Sequence, residues 1–148
     1  AWCSYSTVIQ SRSWLPDGIG GVCWYAVDNP AQSPRIPIFC GSTVLPDAFG
    51  KCGQKEYYPN SVLWEFRRAN KLATLSWQKT KKEFTDNVLE MEAMTFEGLP
   101  KLEAEYSKAT PRKRARLLNA YTAAIHDKCA ARWKELEAKY WSMFGRGF

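Results

Sequence analysis

Arg12 is the side chain whose type and position most suggest binding chemistry. It lies late in a predicted strand, in the segment QSRSWLPDGIGGVCWYAVDNP, which is otherwise rich in aromatic and aliphatic residues suited to burial. A guanidinium in such surroundings needs a carboxylate or a substrate anion to compensate its charge. We therefore expect Arg12 either to form an ion pair with Asp17 or Asp28, or to serve in a pocket.

Asp28 and Asn29 follow the second strand-like run of the same segment. They can orient a ligand through hydrogen bonds, or they can cap the turn that follows. Trp14, Trp24 and Trp64 are expected in the core, and Trp14 is also a candidate for a pocket wall. The candidate substrate-binding residues are Arg12, Trp14, Asp28 and Asn29.

The sequence offers five cysteines but a single histidine, which limits the hydrolytic chemistry it can support alone. A conventional cysteine or serine hydrolase needs an imidazole base beside its nucleophile. His126 lies between Ile125 and Asp127 in a predicted helix, and we interpret it as an ordinary residue of the helix surface or boundary. A Cys–His dyad is left open, although no local motif joins His126 to a cysteine.

Metal and phosphate chemistry are poorly supported by the sequence. There is no histidine pair, and no carboxylates cluster outside predicted helix surfaces. Gly18, Gly20 and Gly21 lie in a predicted hairpin, not at the strand-to-helix turn that cradles phosphates. We predict no metal site and no cofactor.

The five cysteines are Cys3, Cys23, Cys40, Cys52 and Cys129. They form no close Cys-x-x-Cys pair, which disfavours a structural zinc site. Cys40 and Cys52 can form a disulfide if the compartment is oxidising, or all five can be small buried residues. The odd count leaves at least one cysteine free or paired outside this chain.

The first half of the sequence has the pattern of strands. Tyr5, Thr7 and Ile9 alternate with more polar residues, and a Pro- and Gly-rich turn leads to the apolar run VCWYAVD. We predict a hairpin over residues 4–28, with its second strand buried on both faces. The run IPIFCGSTVLP can add a short third strand.

The second half has the pattern of helices. We predict one helix from Asn60 or Ser61 to about Trp77 and a second over about 79–95. The sequence EGLP is expected to separate the second helix from a short helical piece at roughly 100–108. A long helix then begins at Thr110-Pro111 and ends near the sequence GRG.

The net charge of +6 is unevenly distributed along the chain. Residues 1–100 are balanced, with ten basic and ten acidic side chains, whereas 101–148 carry eleven and five. Much of the excess lies in PRKRAR, residues 111–116. We interpret this run as a solvated helix start, with anionic lipid or nucleic acid as alternative partners.

These patterns predict an α+β fold, with strands and loops over 1–58 and a helical layer over 59–148. Two or three strands make a poor sheet alone, because their apolar faces need further strands to cover them. No window is apolar over the roughly 18 residues of a membrane span. The N-terminus AWCSYSTVIQ lacks signal-peptide features and begins in strand-like sequence. We therefore expect a piece of a larger polypeptide.

Several blocks of the sequence resemble the dipeptidase A family of cysteine peptidases, which are N-terminal-nucleophile hydrolases. RSWLP and GGVCWYAVDN, at 12–16 and 20–29, match a family block that ends in Asp-(Asp/Asn). PIFCGSTVLP at 37–46, YPNSVLWEFRRANKLATL at 58–75 and RWKEL at 132–136 resemble further blocks in order. The resemblance covers roughly residues 4–140, and several blocks in register are more specific than one motif.

The resemblance implies a four-layer αββα sandwich and hydrolysis of dipeptides through an acyl-enzyme. The family's nucleophile is a cysteine exposed as the first residue by processing, and its own α-amine is the base. This chain corresponds to the family's C-terminal part, in which Cys3 lies in a strand far downstream of that nucleophile. We therefore expect no catalytic residue in this chain, which alone should be inactive.

The predicted partner is the N-terminal catalytic chain of the same precursor, in a heterodimer that binds a dipeptide. Residues 1–148 would then be the C-terminal portion of a single hydrolase domain, supplying strands, a helical layer and a pocket wall. A non-enzymatic basic module acting through residues 111–116 is the alternative, although nucleic acid is not the favoured partner. A pseudoenzyme of the same fold is a third hypothesis. The sequence does not decide the cellular compartment. A natural processing product would favour a lysosomal, vesicular or secreted location.

Overall fold

A computed structural model describes residues 3–146 of the chain as a small antiparallel sheet with long helices. The predicted α+β class is confirmed. The elements in order are β1 (Tyr5–Ser11), α1 (Asp17–Gly20), β2 (Gly21–Val27), β3 (Ile36–Phe39), a 3₁₀ turn (Asp47–Gly50), α2 (Val62–Thr74), α3 (Trp77–Lys108) and α4 (Pro111–Phe144). The sheet order is β1-β2-β3.

The predicted hairpin is present. β1 pairs with β2 from Tyr5 opposite Val27 to Ser11 opposite Gly21, and the Pro- and Gly-rich connection contains the single turn α1. The backbone N–H of Arg12 donates to the carbonyl of Gly20 at 3.0 Å, which closes the loop. A Cβ at Gly20 would lie 2.8 Å from the Arg12 carbonyl oxygen, so the close approach requires glycine.

The prediction that β2 is buried on both faces is correct for one face and only partly correct for the other. Val22, Trp24 and Ala26 alternate on one face and are buried, whereas Cys23 and Tyr25 on the other face are only partly covered. On that second face the helical core buries Val27 and Ile36, the neighbour of Tyr25 on β3, but leaves Cys23 and Tyr25 partly exposed. β1, at the edge, is almost wholly exposed.

α2 and α4 begin where the capping signals predict, but α2 is shorter than predicted. Ser61 caps α2, and its hydroxyl accepts a hydrogen bond from the N–H of Trp64. α2 ends at Thr74, a turn earlier than predicted. Thr110 precedes α4 with Pro111 in the first turn, and Gly145 follows its end, as expected. No helix in the described part of the chain is long and apolar enough to cross a membrane.

The predicted break at EGLP is wrong, because α3 continues through Pro100 without interruption. The buried residues Thr95, Leu99, Leu102 and Tyr106 keep helical spacing across the proline. Burial of this stripe against Trp24, Phe39 and Leu118 outweighs the hydrogen bond that a proline removes. The sequence-based rule fails here because tertiary packing maintains the helix.

Replacing Pro100 with alanine should stabilise the protein by roughly 1–3 kcal/mol, because it restores a helix N–H and removes a steric clash. The side chain is exposed, so little packing is lost. Urea unfolding would measure the gain. Pro111→Ala is the matched control and should not stabilise, since Pro111 lies in the first turn of α4. A Pro100→Ala variant without increased stability would contradict this account.

The largest apolar core joins α2, α3 and α4. Its fully buried large side chains include Phe66, Phe84, Trp133 and Tyr140, whose rings pack against one another at centroid distances of 5.6–6.0 Å. α4 crosses β3, where the hydroxyl of Thr122 donates to the carbonyl of Pro37 at 2.7 Å. The sheet is thereby fixed on a rigid helical layer.

Candidate functional site

A polar cavity of about 550 Å³ lies beyond the C-terminal end of β2. Its walls come from the residues just before β1, the turn after β2, the loop before α2 and one side of α2. The lining residues are Cys3, Ser4, Asp28, Asn29, Gln32, Gln54, Arg67, Lys71 and Thr74. Two of the four predicted binding residues, Asp28 and Asn29, are brought together here.

Asp28 is the centre of the cavity's polar network. Its side chain is buried, and its backbone has φ of 59°, a left-handed conformation that is uncommon for residues other than glycine. One carboxylate oxygen accepts from Arg67 Nε at 2.8 Å and the other from Asn70 Nδ2 at 3.0 Å. These charge-assisted bonds hold the carboxylate in place and offset the cost of its unusual backbone.

Asn70 connects the cavity to the helical core. Its Nδ2 also donates to Ser33 Oγ at 2.9 Å, and its Oδ1 accepts from the indole N–H of Trp133 on α4 at 2.9 Å. Its backbone carbonyl accepts from Gln32 Nε2 at 3.1 Å. One side chain therefore fixes the turn after β2, helix α2 and helix α4 relative to one another.

Asn29 shapes the same turn with bonds of its own. Its Oδ1 accepts from the N–H of Ala31 at 3.0 Å, and its Nδ2 donates to Gln32 Oε1 at 2.9 Å. This is the Asx-type turn expected before Pro30. The side chain lines the cavity while it organises the loop.

Arg12 lies at the other end of the hairpin. The seven-residue strand β2 separates it from Asp28 by roughly 20 Å. Its Nη1 forms an ion pair with Glu103 of α3 at 2.5 Å, and its Nη2 donates to the carbonyl of Ile19 at 2.5 Å. The predicted pairing with Asp17 or Asp28 is wrong, because the partner comes from a helix whose proximity the sequence does not show.

Trp14 is not in the core. Its side chain is 75% exposed in the loop before α1, whereas Trp24 is buried and Trp64 is half-buried. The indole N–H of Trp64 donates to the carbonyl of Gly53 at 2.7 Å. Neither Arg12 nor Trp14 lines the polar cavity.

His126 is buried, which corrects its assignment to a helix surface or boundary. It faces Glu65 of α2 and Asp127 of its own helix, and the ring of Phe49 packs edge-on against it at 5.6 Å. Burial lowers the pKa of His126, but hydrogen bonds and charge from Glu65 and then Asp127 outweigh it and raise the pKa. The carboxylates occupy both ring nitrogens, so the imidazole is not positioned as a base for a cysteine.

The cysteines of the described chain are all free thiols, including Cys40 and Cys52. Burial raises the pKa of Cys129 to about 12 and also raises the pKa of Cys23, with the nearby Cys40 adding to the shift. Such thiols are poor nucleophiles because the thiolate is the reactive form. Within residues 3–146, no group of three or more metal-ligating side chains gathers.

Sequence reasoning missed Arg67 and Asn70, the partners of Asp28. A signal for Asn70 was present, because it interrupts the apolar stripe of α2 between Phe66 and Ala73. A polar residue on a core-facing stripe must find buried partners. Arg67 carried no comparable signal.

The start of α4 is solvated, as expected for a charged helix terminus. Arg112, Lys113 and Arg116 are exposed. Arg114 stacks on Tyr106 at 4.9 Å and donates to its carbonyl oxygen at 3.1 Å. The basic run therefore divides between helix capping and solvent.

Comparison with known proteins places these features in a family. A search of curated proteins gives no match. The family model for peptidase family C69 matches residues 3–90, which is more than half of the chain and includes the hairpin, the cavity and α2. The match agrees with the resemblance to the dipeptidase A cysteine peptidases and supports a peptidase-like function. The chain belongs to peptidase family C69.

Proposed function

We propose that this chain is the C-terminal portion of a single dipeptidase-like hydrolase domain, completed by a segment that carries an N-terminal cysteine nucleophile. In this arrangement the chain supplies sheet strands, the helical layer and one wall of the substrate pocket. The substrate is a dipeptide, cleaved through an acyl-enzyme on that cysteine.

The observation that carries the proposal is the apolar face of the sheet at β1 and the adjoining part of β2, which the described residues cover only in part; farther along the same face, Val27 and Ile36 are buried in the helical core. Tyr5 and Ile9 of β1 are 59% and 71% exposed. On the same face, Tyr25 stacks on Tyr5 with ring centroids 5.8 Å apart, and Cys23 is only partly covered. A contiguous apolar face of this kind marks an interface, and a second sheet is the element that an αββα sandwich places there.

The chemistry of the described residues agrees with a nucleophile on another segment. Both ring nitrogens of His126, the single imidazole, are engaged with carboxylates. Cys129 of α4 is buried within the helical core. A cysteine that uses its own α-amine as base needs neither residue, so the lack of a Cys–His pair among residues 3–146 is compatible with this mechanism.

The polar cavity is the proposed pocket wall. Asp28 and Asn29 lie on a rigid turn, anchored by Arg67 and Asn70, and a preorganised hydrogen-bonding wall can orient a peptide substrate. Arg12 and Trp14 lie at the far end of the hairpin, so a direct substrate role is proposed for Asp28 and Asn29 alone.

Native mass spectrometry of the protein from its source, with N-terminal sequencing of each chain, tests the proposal directly. We expect a companion segment that begins with cysteine, and dipeptide hydrolysis that disappears when that cysteine is replaced by alanine. An assembly without such a cysteine, or an intact assembly that hydrolyses no dipeptide, would refute the proposed function.

The partly covered apolar face gives a prediction for the isolated chain. Tyr5→Lys and Ile9→Lys together should shift the 148-residue chain from self-associated to monomeric species, because they place charge on the apolar face. Analytical ultracentrifugation would measure the shift. Leu89→Lys is the matched control, since Leu89 is an apolar residue of α3 that is as exposed as Tyr5, at 59%. An isolated wild-type chain that is already a monodisperse monomer would contradict the proposal that another segment covers this face.

A further inference from the structure

The single histidine of the chain joins two helices through a pair of carboxylates. His126 on α4 is 5% exposed, and its Nε2 lies 2.7 Å from Glu65 Oε2 on α2. Its Nδ1 lies 3.0 Å from Asp127 Oδ1. Both ring nitrogens therefore face an acceptor.

This geometry selects one protonation state. An ionised carboxylate only accepts hydrogen bonds, and a neutral imidazole has only one N–H to donate. Both contacts are hydrogen bonds only when the ring is the imidazolium, with a proton on each nitrogen. We propose that His126 is a pH-dependent clasp: the imidazolium holds α2 against α4 through a charge-assisted bond to Glu65 and a second bond to Asp127, and deprotonation weakens this hold by removing the charge and one of the two bonds.

The groups around the imidazole determine which other charges can pair with Glu65 and Asp127. α2 contributes Glu65, α4 contributes Asp127, and the 3₁₀ turn contributes the uncharged ring of Phe49. Two cations, Arg68 and Lys134, line the cleft beside Glu65. Arg68 is engaged by Glu137 at 2.9 Å. Asp127 is 75% exposed, so Glu65 is the dominant partner.

The clasp acts on the helix that organises the polar cavity. Glu65 is two residues before Arg67 and five before Asn70, the two residues of α2 that hold the Asp28 carboxylate. α2 is held to α4 by two further polar contacts, the Arg68–Glu137 pair and the bond from Trp133 to Asn70, and by the packing of the Phe66 ring on Trp133. The Trp133–Asn70 bond involves no ionisable group and an arginine is always protonated, so His126 is the contact that makes this attachment pH-sensitive.

The direction of the effect follows from the raised pKa of His126. The clasp is at full strength below the unfolded-state pKa of about 6.5, and it weakens, losing its charge and one hydrogen bond, as pH rises through the higher folded-state pKa. Alkaline pH should therefore loosen α2 at the cavity. The consequence for peptide hydrolysis rests on the proposed function, whereas the clasp itself does not.

NMR titration of the ring protons gives an unambiguous test, because the chain has one histidine. We expect a midpoint above about 6.5 in the wild type. Glu65→Gln should move it down more than Asp127→Asn. Glu135→Gln, an exposed substitution on α4, is the control and should leave it unchanged. A wild-type midpoint at or below about 6.5, or an unchanged midpoint in Glu65→Gln, would overturn the proposal.

Hydrogen exchange tests the effect on the cavity helix without any activity measurement. Protection factors of the α2 amides from Arg67 to Leu72 should fall as pH rises through the His126 midpoint. His126→Gln should remove this dependence; if that variant does not fold, Glu65→Gln carries the same test. Protection that is constant across the midpoint, or that falls equally in the variant, would overturn the proposal, whatever the outcome of dipeptide assays.

Discussion

Replacing Asn70 with aspartate should destabilise the protein by about 3–5 kcal/mol at neutral pH, although the two side chains have nearly the same shape. Nδ2 of Asn70, which donates to Asp28 and Ser33, becomes a carboxylate oxygen that cannot donate. It would lie about 3 Å from the Asp28 carboxylate inside a buried network. The aspartate still accepts the hydrogen bond from Trp133, so the loss of stability reports only the hydrogen bonds that Asn70 donates.

The pH dependence of this variant gives a second signature. Two adjacent carboxylates raise the pKa of one of them, and the proton that it takes up restores a donor. The penalty should therefore shrink as pH falls from about 7 to about 5. Urea unfolding at both pH values would measure it, with Asn60→Asp as the exposed control. A loss below about 1 kcal/mol, or an equal loss at both pH values, would contradict a buried Asp28–Asn70 bond.

Replacing Arg12 with methionine should cost about 2–4 kcal/mol of stability, because it leaves buried acceptors without their donor. The Glu103 carboxylate and the Ile19 carbonyl oxygen each lie 2.5 Å from the guanidinium, and the Gly20 carbonyl oxygen lies 3.4 Å away. Methionine retains most of the apolar volume, so the effect reports lost polar bonds rather than a cavity. Thermal and urea unfolding would measure it.

The control for charge removal is Arg132→Met, since Arg132 is a half-exposed residue paired with Glu90 and should lose only about 0–1 kcal/mol. A double variant, Arg12→Met with Glu103→Leu, should be more stable than Arg12→Met alone, because it removes the unpaired carboxylate. In the dipeptidase assembly that we propose, Arg12→Met should leave KM for a dipeptide unchanged. A raised KM with unaltered stability would instead make Arg12 a substrate-binding residue.

These two substitutions separate two ends of the hairpin that the sequence presents as one segment. Arg12 and Asp28 lie in the same matched block, yet β2 extends between them, and each is paired with a different helix. The Arg12 end is a structural joint to α3. The Asp28 end forms the cavity, and Asn70, which holds Asp28, and the neighbouring Arg68 link α2 to α4.

Local sequence patterns predicted those elements that local physics controls. The alternation of Tyr5, Thr7 and Ile9 and the glycine-rich turn specified the hairpin, and the Ser61 and Thr110-Pro111 signals specified where two helices begin. The continuous helix through Pro100 was not predictable in this way. The hydrogen bond that Pro100 removes can be read from the local sequence. The packing of Leu99 and Leu102 against the sheet is a tertiary contact, which the local sequence does not show.

By itself, the sequence determined the α+β class, the hairpin, the helix starts and, through blocks in register, membership of a peptidase family. The sequence also identified Asp28 and Asn29 as candidate binding residues, because a turn after a strand has a local signature. Only the tertiary structure decided the partners of the charged residues: Glu103 for Arg12, Arg67 and Asn70 for Asp28, and Glu65 for His126. These partners are 39 to 91 residues apart in the chain. Periodicity shows which face of an element is buried, but the neighbour across that face is fixed only when the elements pack.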